Sequence, residues 1–181
     1  MKVMFSFTVK SDAYKALKNK AQLELYDSVD YAPAVISAVC RVLYESGAFE
    51  FKLCFGDGGE ILLPVDCELS IFLEQLPEVV SASKNEHFRS FVIHFFEQGF
   101  NFDVLVQKKN GLYRVSFDMS DCDNSVHEGY DIEFSHFESM LQEIAQKFVE
   151  ISLEVFPELS ENQALTQWRR EVGIQNGISG E

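Results

Sequence analysis

Phe102-Asp103-Val104-Leu105-Val106-Gln107-Lys108-Lys109-Asn110-Gly111-Leu112-Tyr113-Arg114-Val115-Ser116-Phe117-Asp118-Met119 decides the fold. Apolar and polar residues alternate on either side of Asn110-Gly111, which predicts two strands, residues 100–108 and 112–119. Asn-Gly suits a type I′ turn, because both central positions need positive φ. A two-residue loop also fixes the register. Val106 then faces Val115, Val104 faces Phe117 and Phe102 faces Met119 on one apolar side. Gln107 faces Arg114, Leu105 faces Ser116 and Asp103 faces Asp118 on the other. Like charges directly opposite one another cost stability. The Asp103–Asp118 pair is therefore an anomaly in an otherwise consistent hairpin.

Upstream, residues 88–97 carry the same alternation, and Gln98-Gly99 makes the turn into the hairpin, so 88–119 predicts a three-stranded meander. Residues 3–9 read as a further half-buried strand. Residues 49–55 and 60–65 read as two more, joined across Gly56-Asp57-Gly58-Gly59. A helix follows Pro33 with a wide apolar stripe of Val35, Ile36, Val39, Val42 and Leu43, and Gly47 is placed to end it. A short helix is expected at 67–76, broken by Pro77. Ser135 with Glu138 has the form of a capping box. It opens a helix whose apolar residues, Phe137, Leu141, Ile144, Phe148, Ile151 and Val155, share one face until Pro157. Ser160 with Gln163 opens a last short helix carrying Leu165 and Trp168. Residues 12–26 suit a helix or a strand, and 120–131 read as a long polar loop. The expected fold class is α+β, an antiparallel meander sheet packed on one side by two or three helices. Residues 1–172 read as one domain, with a mobile tail at 173–181.

At 181 residues the chain is long enough to bury a core without a metal or disulfide staple. The 17 phenylalanines are explained mainly as core filling. Cys40, Cys54, Cys67 and Cys122 form no CxxC pair, and Met1-Lys2-Val3-Met4-Phe5 runs straight into a strand pattern. With no long apolar run, the reading is a reduced cytoplasmic protein with buried thiols and no membrane span.

The net charge is −14, and two segments without Lys or Arg hold all of it. Between Lys52 and Lys84 the acids are Asp57, Glu60, Asp66, Glu68, Glu74 and Glu78. Between Arg114 and Lys147 they are Asp118, Asp121, Asp123, Glu128, Asp131, Glu133, Glu138 and Glu143. The rest of the chain is neutral. Nucleic acid and anionic membranes need local positive charge, so the sequence argues against both as direct partners and favours a basic protein or a cation.

The motifs that carry chemistry are weak. A phosphate-binding loop at 56–59 would need a helix after it, where Ile61-Leu62-Leu63 continues as a strand. A calcium loop beginning at Asp121 would need Gly and Glu where Val126 and Ile132 stand. A looser divalent site on Asp118, Asp121 and Asp123 stays chemically open. His87, His94, His127 and His136 fit no zinc spacing, and His94 reads as a hydrogen-bonded sheet residue. No GxSxG elbow or activated cysteine is present, and no cofactor is implied.

The candidate partner-binding residues are accordingly Asp103, Asp118, Asp121, Asp123, Glu128, Asp131 and Glu133. In size, acidity and lack of enzyme motifs the whole chain resembles the immunity proteins of bacterial contact-dependent growth inhibition and other polymorphic-toxin systems. That resemblance implies a stoichiometric inhibitor that neutralises a basic toxin, a nuclease for instance, and it transfers no site residue. Two other classes stay open on the sequence: a carboxylate- or metal-dependent enzyme, and a non-enzymatic adaptor.

Overall fold

The computed structural model describes residues 4–19, 31–55, 59–96, 101–118 and 127–174. The hairpin forms with the expected register: β5 (Phe102–Lys109) pairs antiparallel with β6 (Leu112–Asp118), with Val106 opposite Val115 and Asp103 opposite Asp118. The turn has Asn110 at φ 50° and Gly111 at φ 81°, as a type I′ loop requires. Met119, the expected partner of Phe102, lies outside the described residues. On the other side of β5 lies β4 (Ser90–Phe95), which completes the meander.

A fourth strand, β7 (His127–Glu133), extends this sheet to the order β4-β5-β6-β7. The end of the expected polar loop is thus a strand. Its own pattern is thin, with only Tyr130 and Ile132 as apolar residues, so its conformation comes from pairing with β6. The register shifts between Val115 and Phe117, and Gly129 sits at the irregularity. A Cβ at Gly129 would fall 2.5 Å from the Val115 carbonyl oxygen, so only glycine allows this approach.

A second antiparallel sheet has the order β1-β2-β3, from β1 (Phe5–Val9), β2 (Phe49–Cys54) and β3 (Glu60–Leu63). The fold class is α+β, as expected, but with two sheets where one was read. Aromatic residues join them. The Phe5 ring packs on Phe51 and Phe72 from its own side and on Phe95 of β4. Phe55 meets Phe117 edge-on. One cluster of buried side chains runs from Met4 to Ile174.

The helices are α1 (Ala32–Glu45), α2 (Ser70–Lys84), α3 (Phe134–Val155) and α4 (Gln163–Glu171). Pro33 lies in the first turn of α1, and Gly47, at φ 64°, follows its end. Residues 12–19 form a 3-10 segment, which settles half of the ambiguous stretch; residues 20–30 lie outside the described residues. α3 buries Phe137 against Phe91 and Tyr113, and its Met140 Sδ accepts the Phe5 N–H at 3.2 Å.

Three local expectations are corrected. Pro77 lies inside α2, which runs on to Lys84 after a π-helical turn at Val65–Leu69. The residue before α3 is Glu133, with no side-chain cap, so Ser135 and Glu138 form no capping box. The cap of α4 is Asn162, whose side chain accepts the Leu165 N–H at 2.8 Å, two residues after the proposed Ser160. The expected tail is outside the described residues beyond Ile174.

Cys40 is buried, whereas Cys54 and Cys67 are partly exposed. Cys122 lies outside the described residues. No described helix is long and apolar enough to cross a membrane.

Candidate functional site

Strand alternation gives the β4–β7 sheet one face toward the core and one toward solvent. Phe91, Ile93 and Phe95 of β4 point inward with Val104 and Val106 of β5 and Tyr113, Val115 and Phe117 of β6; most are fully buried. Residues one step out of phase are half-buried or exposed. Four candidate acids stand on this outer face: Asp103 on β5, Asp118 on β6, and Asp131 and Glu133 on β7. Asp121 and Asp123 lie outside the described residues, as does the side chain of Glu128.

Cross-strand rows order the face. His94, Asp103 and Asp118 lie side by side across three strands. Ser90, Gln107, Arg114 and Asp131 lie side by side across four. In the first row, His94 Nδ1 is 2.7 Å from Asp103 Oδ1, both side chains about half exposed. In the second, Arg114 Nη1 donates to Asp131 Oδ1 at 3.1 Å. Asp118 and Glu133 make no ion pair or side-chain hydrogen bond with any described residue. The face is therefore mixed in charge: Arg114 and Lys109 stand on it among the four acids.

The first acidic segment does not gather here. Glu60 lies on the other sheet, 2.9 Å from Lys52 Nζ. Glu68 is only 1% exposed. Asp66 and Glu74 line a cavity of about 470 Å³ together with Arg41. Glu78 borders a different cavity, beside β4. The described acids of the two basic-free segments therefore do not build one field, because β3, the π-helical turn and α2 carry those of the first segment away from β6 and β7.

His94 is the best-connected residue of the face. Its backbone N–H donates to Gln75 Oε1 at 2.9 Å, and its carbonyl accepts from Gln75 Nε2 at 2.8 Å. A side-chain amide on α2 thereby stands in for a neighbouring strand at the β4 edge. The His94–Asp103 pair could orient an imidazole for proton transfer, and covalent catalysis would in addition need a nucleophile within reach. Ser90, on the same face, is four residues along the strand, about 13 Å away at the usual rise. Among the described residues no three His, Cys, Asp or Glu side chains are grouped to hold one metal ion. What the surface offers is exposed carboxylates and a sheet edge, groups suited to binding a chain.

Comparison with family models, with curated proteins and with solved structures gave no match. Function must therefore be argued from this surface. Two of its participants were missed in the sequence. The Arg114–Asp131 pair was hidden because 120–131 read as loop; pairing Tyr130 and Ile132 with β6 would have exposed it. Gln75 carries no local signal, since its role depends on how α2 lies beside β4.

Proposed function

We propose that the chain is a stoichiometric protein-binding inhibitor of immunity type, whose outer β4–β7 face receives the basic surface of a toxin that acts on nucleic acid. The observation that carries this reading is the exposed opposition of Asp103 and Asp118. Two carboxylates held side by side weaken the free sheet, and a cation docking against them relieves that repulsion. His94 offsets part of it at Asp103; Asp118, at the end of the row, meets no described cation. Glu133 adds a separate carboxylate at the opposite end of the face, in the row of Leu112 and Lys109. Phosphate-binding proteins expose Lys and Arg where they hold their substrate, so an acidic cover blocks that site directly.

The test is capture from the native host with wild-type protein and with Asp118→Lys as paired baits. The reading requires a basic partner, retained by the wild type and depleted on the variant, whose activity on nucleic acid disappears at equimolar inhibitor. An acidic partner, or a basic one held equally by both baits, overturns it.

A further inference from the structure

The β4 edge carries the geometry of a strand-acceptor site. In an antiparallel strand, alternate residues direct N–H and C=O to the same side. Both backbone groups of His94 go outward to Gln75, so those of Val92 and Ser90 also point away from β5. No described group bonds them. Beside them, between α2 and β4, lies a cavity of about 760 Å³. Val79, Ala82, Phe91 and Val92 give it apolar walls, and Phe88, 50% exposed, stands at its rim. Its described charged residues are Glu78 and Glu171, both exposed carboxylates, with neither Lys nor Arg among them.

We propose that an extended segment of a basic partner protein adds to β4 as a fifth strand, its backbone pairing with Ser90 and Val92. Its Lys or Arg side chains meet Glu78 and Glu171, and its apolar ones enter the groove. Gln75 occupies the next ladder position and stops the added strand there, which sets both register and length. Main-chain bonds supply affinity in such strand addition, and the groove supplies selectivity. The inference rests on the basic-partner reading above and locates a contact at the sheet edge, away from Asp118 and Glu133.

The probe is a blocked peptide of alternating Lys and Val, with a Glu–Val peptide as control. Binding is read by fluorescence anisotropy, and contact by backbone amide exchange. The Lys peptide should bind about tenfold or more tighter than the control in ~50 mM salt and slow exchange at Ser90 and Val92. Val92→Pro removes an outward N–H while leaving the β4–β5 ladder intact, since proline is tolerated on the open side of an edge strand. It should cut affinity by about tenfold. Glu78→Lys with Glu171→Lys, two exposed positions, should act in the same direction with no effect on folding. If the Lys peptide binds but protects only β6 and β7, the edge inference falls and the basic-partner reading stands. If neither peptide binds, the edge inference falls, and the basic-partner reading is judged by the capture experiment. A concentration-dependent dimer that Val92→Pro abolishes would also overturn it, by making a second copy the occupant.

Discussion

The indole Nε1–H of Trp168 donates to the Leu73 carbonyl at 3.0 Å, the carbonyl whose helical partner Pro77 cannot supply. A proline inside a helix leaves the C=O four residues before it without a donor, and a buried orphan of that kind is costly. The single tryptophan removes this cost and fastens α4 to α2. Its ring also lies edge-on to Phe148 of α3.

Trp168→Phe should therefore destabilise the protein by about 1–3 kcal/mol, through the lost hydrogen bond more than through volume. In a Pro77→Ala background residue 77 regains its N–H and can donate to Leu73 itself. The same Trp168 substitution should then cost about 1 kcal/mol less. A double-mutant cycle by urea unfolding checks this; additive effects would show that the two residues are uncoupled.

Gln75→Ala should leave the fold intact and release the β4 edge at one residue. The His94 amide should exchange faster while those of Ile93 and Phe95, which face β5, stay protected. The expected stability loss is about 1 kcal/mol, since water can replace the amide at a half-exposed edge. Uniform loss of protection along β4 would mean that Gln75 holds the whole strand.

Alkaline pH should unfold the protein earlier than its exposed charges suggest. Burial, with Glu138 second, pushes the Tyr113 phenol from an ordinary 10.0 to about 12, against a smaller lowering by the Ser83 side chain. Burial likewise raises the Tyr130 phenol and the Cys40 thiol. In the unfolded chain Tyr113 loses its proton near pH 10, whereas in the fold it keeps it to about 12, so the native state binds more protons in that window. Stability must fall as pH rises through it, by about 2–3 kcal/mol for Tyr113 alone. Below that window this group has no effect. Denaturant unfolding between pH 9 and 12 should show a shallower decline for Tyr113→Phe than for wild type.

Legibility in the sequence followed the range of the interactions. The β5–β6 hairpin could be read residue by residue, because Asn110-Gly111 sets its turn and a two-residue loop leaves one register. α1 was equally plain, with Pro33 opening it and Gly47 following its end. β7 was not, because its seven residues form a strand only by pairing with β6, with Gly129 fitted under the Val115 carbonyl. Pro77 misled for a similar reason: the donor that lets α2 continue comes from Trp168, ninety-five positions from Leu73. The acids followed the same rule. Asp103 and Asp118 were placed opposite each other by the hairpin alone, whereas the dispersal of Glu60, Glu68 and Glu78 depends on how β3, the π-helical turn and α2 pack.

Asp118→Lys should raise the stability of the isolated protein by about 0.5 kcal/mol, as a cation replaces the second carboxylate beside Asp103. The same change should weaken partner binding. A gain in stability with a loss of binding marks a position kept for recognition, and thermal unfolding of the free variant supplies the first half of that comparison.

The most direct measurement is calorimetric titration of the captured partner into wild type and into Asp118→Lys/Glu133→Lys, at ~50 and ~500 mM salt. The outer-face account predicts an affinity loss of about tenfold or more for the variant at low salt and a similar loss for wild type at high salt. Equal affinities for both proteins, unchanged by salt, would contradict it.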